Sequence, residues 1–386
     1  MKMWPSYSKE EIDAVSSVLT SGKVNYWTGE NCKKFESEYA EFCNTKYAVS
    51  LMNGSLALEV ALRSIGIVSG NEVIVTSRTY IASVSAIVNV GGIPIFADID
   101  EDSQNISAEL IREKITKKTK AILCVHLAGW PCDMDRIMDL SGTFDLSVIE
   151  DCSQAHGAKY KGIPVGSIGH IGCWSFCQDK IISTGGEGGM VTTNDKDLWH
   201  KMWSYKDQGK GYSAAYKKNN TNNFRWIHES FGSNYRMTEM QAVIGRIQLK
   251  KIKLWHKERL NNSIKIWEFA KKHPGLRVPV IPNSIEHACY RCYIFIRPNK
   301  LNKDWNRDRI INEINSLGVV CASGSCSEVY LESAFDEKIF KPVNRLPIAK
   351  KLGETSLAFL VHPGLSDSYI DQTCEAIKVV MSKAIS

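Results

Sequence analysis

Lys180 is the residue of this chain best placed for covalent chemistry. It follows the run Cys173-Trp174-Ser175-Phe176-Cys177-Gln178-Asp179 and precedes the glycine-dense Gly185-Gly186-Glu187-Gly188-Gly189, after which a second apolar stretch runs from Met190 to Thr193. A lysine between a strand end and such a loop can be approached closely by other groups, because glycine carries no Cβ. An amine held in a dry pocket loses its proton at lower cost and becomes a nucleophile, which Schiff-base chemistry with an aldehyde cofactor requires. The plain alternative is a solvated lysine beside a turn.

Three other segments bear on that choice. In Met52-Asn53-Gly54-Ser55-Leu56-Ala57-Leu58 a strand ends, a glycine turns and a helix opens at Ser55. The free N–H groups of Gly54, Ser55 and Leu56 would make an anion site there, with the Ser55 hydroxyl as a further donor; alternatively Ser55 only caps the helix. In Arg78-Thr79-Tyr80, Tyr80 either stacks on a flat ligand ring or fills core space at a helix start. In Glu150-Asp151-Cys152-Ser153-Gln154-Ala155-His156-Gly157, Asp151 stands at the carboxyl end of an apolar strand. A carboxylate at that place would keep a pyridine nitrogen protonated and the ring an electron sink, with Gln154 in reach of a phenolic oxygen; alternatively Asp151 caps the next turn. Ser175, five residues before the lysine, would add a phosphate donor. Anion cradle, ring stacker, pyridinium partner and amine together suit one cofactor.

All of these groups need strand ends to hold them. Short apolar segments at Tyr47–Leu51, Glu72–Thr76, Ile93–Ala97, Ala121–Val125 and Leu146–Glu150 alternate with helical periodicity near Ser55–Ser64, Ala82–Asn89, Ala108–Lys114 and Asp133–Leu140. That order predicts an α/β fold with a doubly wound, mostly parallel sheet, whose ligands gather at the carboxyl ends of its strands. Ser8 opens an amino-terminal helix, with Glu11 three residues on as its reciprocal cap. A long helix starts near residue 238 and runs to about Ala270, before Pro274. The expected division is a large cofactor-binding domain at 1–250 and a small α+β domain at 251–386, joined by that helix. The small domain would contain strands at Tyr290–Ile296 and Val319–Ala322 and a last helix near Asp367–Lys383. Gly209 to Trp226, rich in Lys, Asn, Gly and Ser, reads as a long exposed loop, where Lys210, Lys217, Lys218 and Arg225 would either meet a diphosphate or stay solvated.

Bulk properties exclude several classes. A net charge of +6 over 386 residues, without long basic runs, does not indicate nucleic-acid binding. The uncharged run from Thr79 to Ala97 is broken by Gly91, Gly92 and Pro94, so no membrane span is expected. The amino terminus lacks the apolar core of a secretion signal, and scattered cysteines then imply reduced thiols and a cytoplasmic protein. Cys289 and Cys292 form a CxxC near Cys321 and Cys326, but they lead into a strand, so no metal site is expected.

Taken together, Asn53–Leu58, Glu150–Gly157, Trp174–Phe176 with Lys180, Thr184–Gly189 and Asn234-Tyr235-Arg236-Met237-Thr238-Glu239-Met240-Gln241-Ala242 resemble the DegT/StrS-type sugar aminotransferases, and the likeness runs from about Trp4 to the last helix. The resemblance implies the aspartate-aminotransferase-like fold with a seven-stranded sheet, and pyridoxal 5'-phosphate as cofactor. It implies Lys180 as the Schiff-base lysine and general base, Asp151 at the pyridine nitrogen and Gln154 at the phenolic oxygen. Ser55 and Ser175, with Gly54 and Leu56 beside them, would hold the phosphate, and Tyr80 would stack on the ring. Asn234 would reach the phosphate of a neighbouring subunit in a homodimer; from the residues alone it reads as a turn before a helix. L-glutamate and a nucleotide-linked keto sugar, a 4-keto-6-deoxy hexose or an N-acetylated hexose, are the implied substrates, and surface polysaccharide, lipopolysaccharide or another glycoconjugate the destination. The stretch Val320–Tyr330 lacks the His-Tyr and Pro-Leu-His elements that relatives often carry near the sugar nucleotide, so the resemblance leaves the sugar open. Other readings are a dehydratase of the same fold, which Lys180 opposes in the histidine-bearing group, a non-catalytic regulatory relative, and an amino-acid aminotransferase using Arg291, Arg297 or Arg345 for a carboxylate.

Overall fold

The computed structural model describes residues 4–217, 225–335 and 340–385. Seven strands form the main sheet, in the order Tyr47–Leu51, Gly189–Thr193, Ile171–Ser175, Ser147–Asp151, Thr119–Val125, Glu72–Thr76 and Ile93–Ala97. The last five run parallel, and Gly189–Thr193 is antiparallel to both its neighbours. Ile171–Ser175 is buried along its whole length and Ser147–Asp151 everywhere but at Ser147, as expected of apolar runs in a sheet covered on both faces. Parallel strands share one carboxyl edge. That edge gathers the ends of Tyr47–Leu51, Glu72–Thr76, Ser147–Asp151 and Ile171–Ser175, which lead into Gly54, Tyr80, Gln154 and Lys180 respectively.

A second, antiparallel sheet has the order Leu276–Arg277, Cys292–Ile296, Ser356–Phe359, Cys321–Ala322. It packs Ile294 and Phe359 with Ile377 of the helix Asp367–Ala384 in a separate apolar core. The helix Glu239–Ala270 joins the two sheets, and the expected boundary at 250/251 falls inside it. Its start is fixed reciprocally: Thr238 accepts from the Gln241 N–H while Gln241 Oε1 accepts from the Thr238 N–H at 2.9 Å.

Local differences from the expected elements have identifiable causes. The helix after Tyr47–Leu51 starts at Gly54 rather than Ser55, because Asn53 is its cap and takes the Leu56 N–H at 3.0 Å. The segment 209–226 is not simply an exposed loop. It contains the helix Tyr212–Tyr216, whose tyrosines pack on Trp27, Trp199 and Trp203. Lys210 there is paired with Asp207 at 3.0 Å and covers the Trp27 ring, so aromatic packing outweighs the polar composition. Lys218 lies outside the described residues. The helix Ala108–Arg112 and the strands Cys292–Ile296 and Cys321–Ala322 are each shorter than their apolar patterns predict.

The two sheets are tied by buried polar groups. Asp98, just past Ile93–Ala97, accepts the N–H groups of Ile348 and Ala349 at 2.9 and 2.8 Å, at the start of the helix Pro347–Thr355. Pro347 has no N–H to satisfy, so the carboxylate meets the first donors that the helix offers. Arg78 reaches across to Ser327 Oγ at 2.7 Å and Ser356 Oγ at 3.0 Å. Replacing Asp98 with Ala strips that helix start of its acceptor; urea unfolding of D98A is expected to show a loss of about 1–2 kcal/mol, and an unchanged midpoint would mean that the carboxylate adds nothing to stability.

Candidate active site

A cavity of about 730 Å³ opens between the carboxyl edge of the main sheet and the second sheet. Gly54, Ser55, Tyr80, Asp151, Gln154, Ser175 and Lys180 all line it, from four separate strand ends. Leu56 and Asn234 are not among its lining residues. Leu56 turns its N–H to Asn53, and Asn234 is exposed, in a β-bridge with Asp207.

The anion end is built by close approach. A Cβ on Gly54 would lie 2.6 Å from Ser175 Cβ and 3.0 Å from its Oγ, so only glycine lets the helix start meet the strand end. Asn53 supplies the cap, which leaves the exposed Ser55 hydroxyl free of that duty. The first N–H groups of the helix have no intrahelical acceptor and carry its positive end. Among the described residues Ser175 Oγ accepts only from the Cys177 N–H, at 3.4 Å, so its own hydrogen remains to be donated.

Asp151 is buried and held on both oxygens: Ser83 Oγ donates to Oδ2 at 2.8 Å and the Ser153 N–H to Oδ1 at 3.1 Å. It therefore fixes the following turn and faces the cavity at once. Gln154 Oε1 accepts the Ala128 N–H at 2.7 Å, which orients the amide and leaves its NH₂ as the free donor. Tyr80 is 70% exposed, which excludes a core role and leaves its ring free for stacking. Behind Ser175, His156 is fully buried. Its Nε2 donates to the Ser175 carbonyl at 2.9 Å and its Nδ1 takes the Tyr39 hydroxyl at 2.8 Å. Burial, then the nearby Lys180 and Arg259, push its pKa down to about 3, so it is neutral.

Lys180 departs from the sequence expectation of an amine that loses its proton easily. Burial works in that direction, but Tyr290, Asp179, Cys177 and Asp151 outweigh it and hold the ammonium above the ordinary lysine range. Its Nζ lies 3.4 Å from Asp179 and 5.4 Å from the centre of the Tyr290 ring. Asp179 also accepts the Tyr290 hydroxyl. Burial opposes ionisation of Asp179, yet Lys180, Tyr290 and Arg291 keep its carboxyl below the usual range.

Several lining residues carried no signal in the sequence, among them Tyr290, Tyr293 and Ser325 from the second sheet and its loops. Ser83 could have been found, since it lies one helical turn after Thr79 and bonds to it at 2.8 Å. Of the three arginines considered for a carboxylate, Arg291 lines the cavity, Arg345 is tied to Glu328 and Arg297 is exposed. The buried trio His126, Glu150 and Cys152 brings metal-ligating types together, but Glu150 already accepts from His126 and from the N–H groups of Gly166, Ile168 and Gly169.

Known proteins share this architecture. The aminotransferase from Psychrobacter cryohalolentis superposes with a TM-score of 0.96 at 56% identity, covering 99% of this chain and 98% of that one. GDP-perosamine synthase of Escherichia coli O157:H7 is 36% identical over 97% of this chain and 96% of its own length. The dTDP-3-amino-3,4,6-trideoxy-alpha-D-glucose transaminase of Streptomyces venezuelae is 30% identical over 96% and 92%. The family model of these enzymes matches residues 5–378, and the chain belongs to the DegT/DnrJ/EryC1/StrS aminotransferase family.

Proposed function

We propose that this protein is a pyridoxal-phosphate-dependent aminotransferase that moves an amino group from L-glutamate to a nucleotide-linked keto sugar. The observation that carries the reading is the meeting of Lys180, Asp151, Gln154, Ser55 and Ser175 on one cavity wall. Family membership supports the reaction type. One relative bears a GDP-linked name and another a dTDP-linked one, so the nucleotide is left to experiment.

The residues fit the cofactor. Ser55, Ser175 and the N–H groups of Gly54 and Ser55 hold the phosphate, whereas the Leu56 N–H is taken by the Asn53 cap. Asp151, kept in place by Ser83 and Ser153, holds the ring nitrogen protonated. Gln154 offers its NH₂ to the phenolic oxygen, and Tyr80 stacks on the ring. When bound, pyridoxal phosphate supplies a carbonyl that captures amines and a ring that takes up negative charge from the adjacent carbon.

Lys180 would anchor the cofactor through its amine, and that amine would move a proton at the substrate carbon as general base. Asp179 and Tyr290 orient its amine. The wall opposite, made by Ala322, Gly324, Ser325 and Cys326, is built of small side chains and leaves room for a sugar ring. Asn234, exposed on one protomer, reaches the phosphate site of a partner copy in a homodimer. The large part of the chain, to about residue 250, holds the cofactor, and the remainder closes the site. The product feeds a surface polysaccharide, lipopolysaccharide or other glycoconjugate from the cytoplasm.

Borohydride reduction of the holoenzyme is expected to fix the cofactor to the peptide that carries Lys180. Lys180→Ala keeps its fold and loses both this label and glutamate-dependent amination of UDP-, dTDP- and GDP-linked keto sugars; amination by that variant would sink the assignment. Gly54→Ala pushes a methyl group into Ser175 and weakens cofactor binding by about tenfold, or 1.4 kcal/mol, in a fluorescence titration; unchanged affinity would argue against the close-approach cradle. Because the Lys180 ammonium is held above its ordinary range, cofactor capture by the apo-protein quickens as pH rises towards alkaline values. Asp179→Asn removes one stabilising charge and shifts that profile to lower pH by roughly one unit; a shift in the other direction contradicts the charge balance around Lys180.

A further inference from the structure

Arg259 and Arg291 crowd around Tyr290, and among the described residues neither makes an ion pair. Arg259, in Glu239–Ala270, is 1% exposed and donates from Nη1 to the Tyr290 carbonyl at 3.4 Å, while its Nε and Nη2 are buried with no partner. Arg291 lies over the Tyr290 ring at 5.0 Å and lines the cavity. His362, 5% exposed, has an unpartnered Nδ1. The Trp4 ring covers both, 5.1 Å from the Arg259 guanidinium and stacked on His362 at 5.7 Å.

The charges are close enough to act on one another. Burial first, and Arg291 second, bring Arg259 down to about 9; burial, Arg259 and Arg291 bring His362 down to about 4. The acid beside Arg291 is Asp179, and the Tyr290 hydroxyl and Lys180 already engage it. Among the described residues, Arg259 and Arg291 make no ion pair. A buried guanidinium with unpaired N–H groups is costly, and an anion offsets the cost when it arrives.

We propose that Arg291, backed by Arg259 and His362, binds a carboxylate of the amino donor. The proposal rests on the transamination reading and specifies how its first substrate is held. Lys180 and Arg291 lie over the same ring, at 5.4 and 5.0 Å. An α-amino acid carries a carboxylate one bond from the carbon that loses nitrogen, and glutamate carries a second three bonds from it. A planar donor fork flanking the reacting amine suits such a group. The diphosphate of a sugar nucleotide leaves the ring at its anomeric carbon, remote from a 4-keto carbon. Arg259 is a positioning residue: it keeps the recess positive without lining the cavity.

The test is calorimetric titration of the holoenzyme with glutarate, a dicarboxylate that cannot react, alongside KM measurements for L-glutamate and for the keto sugar. Arg291→Gln is expected to weaken glutarate binding and raise the glutamate KM by at least about tenfold, with the sugar KM nearly unchanged. Arg291→Lys, which keeps the charge but not the fork, falls between. Arg259→Met is expected to weaken glutarate while its melting temperature holds or rises, because it removes an unneutralised buried charge; a merely structural arginine would lower the melting temperature and leave glutarate affinity alone. Wild-type glutarate affinity in Arg291→Gln overturns the proposal, as does a rise confined to the sugar KM. Failure of wild type to use glutamate would count against the transamination reading, and the glutarate titration would still decide the carboxylate site.

Discussion

The site depends on a contact that exists because one Cβ is missing. Ser175 closes a fully buried strand, and the helix beginning at Gly54 comes so near that any larger residue would collide with it. Two serine hydroxyls and the positive end of a helix are thereby set against one small volume. Neither side can retreat easily. Strand Ile171–Ser175 is locked between Ser147–Asp151 and Gly189–Thr193, and the Ser175 carbonyl is held from behind by His156. Gly189 completes the fit, since a Cβ there would lie 2.2 Å from the Asn53 carbonyl oxygen. The order of the strands thus becomes a distance between hydroxyl groups.

Charge is distributed around the cavity with the same economy. At one side Asp151 is pinned by the Ser83 hydroxyl and the Ser153 N–H, one on each carboxylate oxygen. At the other, Lys180 is surrounded by groups that keep its proton, although burial alone would remove it. The amine is accordingly held as a cation, on the same cavity as the positive helix start at Gly54. Neutral His156 matters in this setting: a charged imidazole behind Ser175 would face both Lys180 and Arg259, and its depressed pKa prevents that.

Much of this was legible in the sequence where chemistry coincides with local pattern. The strands Tyr47–Leu51, Glu72–Thr76 and Ile93–Ala97 have the bounds that their apolar runs predict, and polar residues at strand ends pointed to the carboxyl edge. What remained hidden depended on distance along the chain. Nothing near Gln154 announces that Ala128 will orient its amide, and nothing near Ser175 announces Tyr39 behind His156. The assumption of an easily deprotonated lysine failed for the same reason, because Tyr290 comes from beyond the long helix. Composition misled at 209–226, where two tyrosines at helical spacing outweighed the polar residues around them.

The loop carrying Lys180 shows how such long-range ties substitute for regular structure. Gly185 and Gly186 adopt φ of +87° and +123°, conformations that other residues rarely take, so the loop has little intrinsic preference to hold the lysine still. Restraint comes from the amino-terminal segment instead. Trp4 Nε1 donates to the Lys180 carbonyl at 2.8 Å, and Tyr7 meets Ser183 at 3.1 Å. The same indole covers Arg259 and His362 and meets Trp255 edge-on at 5.0 Å. A single aromatic side chain near the start of the chain therefore fixes the Lys180 backbone and covers the Arg259 guanidinium behind it. Through that indole an amine on a glycine-rich loop gains the rigidity of the long helix, the kind of support that precise placement of a side chain requires.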